Sequence, residues 1–335
     1  MSCLAALAAV GLSESTALAH GTSSTSESSG MALLIFPVAA IIFVLFLVFM
    51  HHRKGWTVLV VGGAGRVGSV LVPKLLKGRH RVVVLDLYGD GDDVFEAYRA
   101  HENLGEVKGD FRDHNTLEKA LQGCDAVIDL AGGAAHAPLV RAAKAAAVKR
   151  FLCAAPMPAT GFAALEAERT PGFVTCSIQS GHVCGSAPSH RWEDLVGGLI
   201  KQALNNGRIR VSDGSRKHPI MHIDDFVDLC LALLNQPDTR IDGKTYSAGT
   251  ENLTKLELAG MVKTAIGGDL PIDVEQVDSH DPVELACDDF REDLRFKPKL
   301  AIEDAVRDLV AAFRHGTSQS AVDDPPGPKL RTVTN

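Results

Sequence analysis

The residues best placed for chemistry cluster near position 60. Gly62-Gly63-Ala64-Gly65-Arg66-Val67-Gly68 forms a GxxGxxG loop. It follows the apolar run Thr57–Val61 and opens a stretch, Arg66–Lys77, in which Val67, Val70, Leu71 and Leu75 share one helical face. Between a strand and a helix, such a loop cradles phosphate. Gly62 permits the tight turn, Gly65 lets backbone amides approach a pyrophosphate, and Gly68 lets the helix pack close to the strand. Arg66 and Val67 open the helix, whose N-terminus adds partial positive charge. Asp86 ends a second apolar run, Arg81–Leu87, at the distance where a carboxylate takes both hydroxyls of an adenosine ribose. A carboxylate there repels a 2′-phosphate, so the pattern favours NAD over NADP.

The elements that must hold this loop alternate in type. Glu106–Lys108, Ala126–Leu130 and Phe151–Ala155 read as further strands, with Thr116–Leu121 and the Ala-rich Pro138–Val148 as helices between them. Strands alternating with helices imply an α/β, doubly wound parallel sheet, a Rossmann domain spanning residues 55–185. From 186 to 315 the pattern changes to a smaller α/β region of the substrate-binding kind, with helices at Glu193–Asn205, Ile223–Leu234, Lys255–Ala265 and Ile302–Phe313 and a short strand at Arg208–Val211. Residues 316–335 are polar, carry a Pro/Gly cluster and read as a disordered tail.

Residues 31–50, MALLIFPVAAIIFVLFLVFM, carry no charge and match the length of one transmembrane helix. His51, His52, Arg53 and Lys54 follow at once, while residues 1–30 hold no Lys or Arg. The positive-inside bias places the N-terminus outside and the Rossmann domain on the cytoplasmic or organelle-interior side. Residues 1–30 are then an extracytoplasmic tail or, through Ala17-Leu18-Ala19, a cleaved signal. The expected partners are a lipid bilayer through residues 31–50, a membrane protein complex and a nucleotide sugar. The net charge of −7 argues against a broad nucleic-acid surface. The seven cysteines contain no CxxC pair, so neither a zinc site nor a redox motif is signalled.

Several separate motifs, in order, resemble the extended short-chain dehydrogenase/reductases, specifically the NAD-dependent epimerase/dehydratase family acting on nucleotide sugars. They are VVGGAGRVG (60–68), VVVLDLYGDGDDVF (82–95), HENLGEVKGDFRD (101–113), CDAVIDLAG (124–132), VKRFLCAA (148–155), HPIMHIDDFVDLC (218–230), TYSAGTENLTKLELA (245–259) and LRFKPKLAIEDAV (294–306). The resemblance implies that Asp110 and Phe111 flank an adenine and that Leu130, Ala131 and Gly132 pass the cofactor. It also implies that His218 stands beside a nucleotide-sugar diphosphate in place of the family's Arg, with Arg216 and Lys217 as alternative sources of charge or as a solvated loop.

The family's chemistry requires a Tyr-x-x-x-Lys pair and a nearby Ser or Thr, the tyrosine serving as acid and base. The three tyrosines here are followed four places on by Asp92, Glu102 and Thr250, so none forms the pair. The fifth strand ends Ala154-Ala155-Pro156 where Ser or Thr is expected, and a short link, Met157–Gly172, stands where the long helix should be. Cys153, Cys176, Ser177, Ser180 and His182 lie near the nicotinamide end, but the cysteines read as core residues and His182 as a packing histidine, so no catalytic residue is assigned. Three roles fit this pattern. The chain is a membrane-anchored, NAD-binding, non-catalytic accessory or structural subunit. Alternatively it is an active nucleotide-sugar epimerase, dehydratase or oxidoreductase with a displaced base, or an NAD(H)-sensing scaffold.

Overall fold

The computed structural model describes residues 55–315, apart from positions 90, 92, 133–135, 157–161, 190, 191, 193 and 276–288. The expected tail at 1–30, the membrane helix at 31–50 and the C-terminal tail at 316–335 lie outside the described residues. Among the described residues, no helix is long and apolar enough to cross a membrane.

Seven parallel strands form the main sheet: β1 (Thr57–Val61), β2 (Arg81–Asp86), β3 (Leu104–Lys108), β4 (Ala126–Asp129), β5 (Arg150–Pro156), β6 (Val174–Ser180) and β10 (Lys244–Ala248). Their spatial order is β10-β6-β5-β4-β1-β2-β3. The order reverses between β1 and β4, which opens a crevice at the carboxyl ends of these strands. Strands buried on both faces need apolar residues at consecutive positions, and β1 meets that need. Val58 and Val60 pack on one face with Leu71 and Leu75 of α1 (Arg66–Lys77) and Phe226 and Leu229 of α6 (Ile223–Asn235). Leu59 and Val61 pack on the other, with Leu117 of α2 (His114–Leu121), Leu139 of α3 (His136–Ala145) and Leu165 of α4 (Phe162–Ala167).

A second core lies under α5 (Leu195–Asn206), α8 (Lys255–Ile266) and α10 (Ile302–Arg314). Two small sheets accompany it. One is β11 (Glu251–Thr254), β9 (Lys217–His222) and β7 (His182–Cys184); the other pairs β12 (Ile272–Glu275) with β8 (Ile209–Ser212). The short helices α7 (Asp238–Ile241) and α9 (Asp289–Leu294) complete the elements described. The main sheet draws β10 and α6 from beyond residue 186, so its strands come from both sides of the division the sequence suggests.

Buried polar contacts tie the two cores. Asp225 on α6 is buried and accepts hydrogen bonds from Lys299 N and Leu300 N at 2.9–3.0 Å, anchoring the segment that enters α10. Within the first core, Arg150 on β5 donates to Leu233 O and Leu234 O at the carbonyl end of α6, and its guanidinium lies 5.0 Å from the Trp56 ring centroid.

Candidate dinucleotide site

A cleft of about 920 Å³ opens where β1, β2, β3 and β4 end. Of the residues singled out in the sequence, Gly62, Gly65, Arg66, Asp86, Asp110, Phe111, Leu130, Ala131 and Gly132 line it. Val67 and Gly68 do not. Val67 packs against the core, and Gly68 is buried beneath the loop.

The loop has the shape its glycines allow. Gly62 adopts φ +73°, and a Cβ there would lie 3.0 Å from Ala131 N. At Gly68 a Cβ would sit 2.2 Å from Gly63 O, so α1 approaches the loop as only glycine permits. Gly65 differs. Its backbone is extended, at φ −73° and ψ 178°, and a Cβ would meet only Gly62 O, at 3.3 Å. That side of Gly65 faces the cleft, so the space a side chain would fill is the space a pyrophosphate needs. The residues therefore fit the dinucleotide that the spacing implies.

Asp86 both holds the loop and faces the cleft. Its Oδ2 accepts from Ala64 N at 3.0 Å and its Oδ1 from Tyr88 N at 2.9 Å. A carboxylate has about four acceptor positions, so two remain for hydroxyls. At the far end, Leu87 is 58% exposed and lies near Phe111, apolar surface of the kind a purine ring covers. Asp110 is held by a two-point pair with Arg112, which keeps its carboxyl below the usual range.

Two cleft residues carry no sequence signal. Arg112 follows Asp110 as an ordinary charged residue. Asp194 comes from the N-cap of α5, where it accepts from Gly197 N, and it also pairs with Arg66 across the cleft. Arg66 donates in addition to Val183 O on β7. The glycine loop is thereby joined to the second half of the molecule.

That half supplies a cationic cluster beside the cleft. The His182 and His218 rings meet edge to face, 5.2 Å between centroids. Burial, then the cations Arg66, Lys255 and Arg216, hold His182 below its usual pKa. Burial, His182 and the same Lys255 and Arg216 push His218 down to about 4, against a raising effect from Asp213. His218 Nε2, Arg216 Nε and Asp213 Oδ1 are buried with no hydrogen-bond partner among the described residues.

No tyrosine occupies the position the family's chemistry requires. Tyr88 Oη donates to Glu106 Oε1 at 2.7 Å, Tyr246 is buried in the core, and Tyr98 lies in a short helical turn, Glu96–Tyr98. Residues 157–173, joining β5 to β6, contain no Tyr or Lys, and the helix among them, α4, has six residues. Burial pushes the Cys176 thiol up to about 12 and raises Cys153 as well, so neither is a thiolate at neutral pH.

Comparisons with known proteins agree with this architecture. Residues 62–170 match a family model described as NAD(P)H-binding, and residues 163–249 match one described as the NAD dependent epimerase/dehydratase family. A dTDP-glucose 4,6-dehydratase from Streptomyces venezuelae, solved with NAD, is similar at 22% identity and a TM-score of 0.67, over 77% of this chain and 97% of that one. A UDP-glucose 4-epimerase from Thermotoga maritima, solved with UDP-glucose, is similar at 20% identity and a TM-score of 0.65, over 78% of this chain and 100% of that one. A dTDP-glucose 4,6-dehydratase from Bacillus anthracis, solved with NAD, gives 16% identity and a TM-score of 0.66, over 78% and 97%. At such identities the likeness speaks for the fold. The motif order, the two family matches and the cleft geometry agree on an NAD(P)H-binding domain that runs into a segment of the NAD dependent epimerase/dehydratase family, in a chain without the Tyr-x-x-x-Lys pair.

Proposed function

We propose that this protein is a membrane-anchored, NAD-binding member of its family that has given up the family's acid/base chemistry and serves as a non-catalytic subunit of a membrane complex. One observation carries the reading: the dinucleotide cradle is intact, while the β5–β6 connection has shrunk to residues 157–173 with no Tyr or Lys in it. Losing one side chain leaves an element in place to regain it, whereas losing the helix removes the position itself.

In this reading the backbone of Gly62–Gly68 and the N-terminus of α1 hold the pyrophosphate, and Asp86 takes the adenosine ribose. Leu87 and Phe111 cover the adenine. Asp86 opposes a 2′-phosphate, and Arg112, the cation on that rim, has its fork occupied by Asp110, which favours NAD. When bound, the nicotinamide supplies a hydride acceptor. The cluster of His182, His218, Arg216 and Lys255 is the complement of a nucleotide-sugar diphosphate. Residues 31–50 hold the bilayer, with the NAD-binding domain on the cytoplasmic or organelle-interior side.

The competing reading is an active nucleotide-sugar epimerase or dehydratase with a displaced base. What favours it is the placement of two imidazoles, held in the neutral form, next to the cofactor cleft. Incubating the full-length protein in mild detergent with NAD and a panel of UDP-, GDP- and dTDP-sugars separates the two. The subunit reading expects NAD binding, no sustained turnover, and a stoichiometric partner on gentle purification from its native membrane. Sustained turnover overturns it.

A further inference from the structure

Three elements converge on the histidine pair. β7 brings His182 and β9 brings His218, adjacent strands of one small sheet. Around them stand Arg66 from α1, Asp213 and Arg216 from the β8–β9 turn, and Lys255 at the start of α8, with Cys184 and the carboxylate of Glu251 farther along the same sheet. Most of these neighbours are cations, and the orphaned His218 Nε2 and Arg216 Nε are both donors in their charged forms. Two such buried nitrogens in one electrostatic neighbourhood are costly unless an acceptor reaches them.

We propose that the His182–His218 pair is a proton-coupled anion site, whose diphosphate ligand enters together with a proton that one of the two imidazoles takes up. The proposal rests on the nucleotide-diphosphate reading above and adds a proton to it. The cations that recruit an anion also hold the imidazoles neutral while the site is free, since a fourth and fifth positive charge beside Arg66, Arg216 and Lys255 is unfavourable. A bound diphosphate offsets that field and gives an imidazolium N–H a charged acceptor. Arg66 lies on the cofactor cleft as well, so negative charge over the glycine loop acts on His182 in the same direction. The linkage sign follows: the complex holds more protons than the free protein, so affinity rises as pH falls through the range between the free and bound values. For one coupled proton the limit is about tenfold per pH unit.

The test is calorimetry on the full-length protein in mild detergent, titrated with UDP-glucose, whose diphosphate diester does not itself titrate between pH 5 and 8. Binding is measured at pH 5.5, 6.5 and 7.5 in buffers of differing ionisation enthalpy. Binding should tighten several-fold for each unit of acidification, with net proton uptake. His218→Arg, which fixes a charge that does not titrate, should flatten the profile, and His218→Asn should weaken binding at pH 5.5 most. Binding that is independent of pH, without proton uptake, overturns the proposal and leaves the nucleotide-sugar reading standing. If UDP-glucose fails to bind at every pH, that reading falls, and sulfate, a dianion across this range, decides the proposal. In that arm, sulfate should raise the His182 or His218 pKa followed by NMR, and Lys255→Met should reduce the shift. Unmoved histidine titrations overturn the proposal.

Discussion

At the scale of single residues, the two glycines at 65 and 68 look alike in the sequence and differ in what limits them. Gly68→Ala puts a methyl group 2.2 Å from a backbone oxygen, which neither a rotamer change nor a side-chain shift relieves. Thermal unfolding should show a loss of about 1–3 kcal/mol. Gly65→Ala meets only Gly62 O at 3.3 Å from a backbone that any residue adopts, so its melting temperature should stay within about 2 °C of wild type. Its methyl group points into the cleft, and NAD affinity measured by calorimetry should fall by about tenfold or more, equivalent to about 1.4 kcal/mol. Asp86→Ala removes acceptors for Ala64 N and Tyr88 N as well as the one proposed for the ribose, so it should weaken NAD binding by about 1–3 kcal/mol and lower stability too. The histidines give a pH dependence of known sign. His80, His182 and His218 all have folded pKa values below the usual 6.5, so the unfolded chain takes up protons first as pH falls. Their contribution to stability is complete above pH 6.5 and is lost from there down toward about 4, the value for His218. A series of melting curves should be flatter over that interval in His218→Asn than in wild type.

At the scale of elements, one helix and one loop decide the chemistry. The periodicity of Arg66–Lys77 and the apolar runs at 57–61, 81–87 and 126–130 are local signals, and the structure has the helix Arg66–Lys77 and the strands Thr57–Val61, Arg81–Asp86 and Ala126–Asp129 there. The shortened α4 was equally legible, because a link of residues 157–173 is too short for a long helix. What holds the second core to the first was not. Asp225 reads as one of two adjacent acids at the start of a helix, yet it is buried and takes the backbone amides of Lys299 and Leu300, more than seventy residues away. Asp225→Ala leaves those amides without their acceptor. We expect a loss of about 1–3 kcal/mol, and hydrogen exchange should quicken first around residues 299–314, where α10 loses its anchor.

At the scale of the whole molecule, the proposed anchor can be tested directly. Anchoring through residues 31–50 predicts that the full chain stays in the membrane pellet after an alkaline carbonate wash, while a chain beginning at residue 55 does not. Release of the full chain by that wash would overturn the anchored reading. The described residues between 55 and 315 cluster as one compact unit, with the main sheet and the second core sharing Arg66, Asp194 and Asp225 as ties. Arg66 lines the cofactor cleft and is also one of the cations acting on His182. Arg66→Met should therefore alter both NAD affinity and the titration of His182.

The amino-acid sequence alone determined what depends on neighbours along the chain. The alternation of strand and helix, the turn at Gly62, the carboxylate ending β2 and the missing Tyr-x-x-x-Lys pair are all functions of spacing over about twenty residues. Only the tertiary structure decided which distant residues share a surface. Asp194 reaches Arg66 across 128 positions, and His182 meets His218 through the parallel pairing of β7 with β9. The physical reason is that charge and burial act through space. The cations that hold His182 and His218 neutral come from α1, the β8–β9 turn and α8, and no window of sequence contains all three.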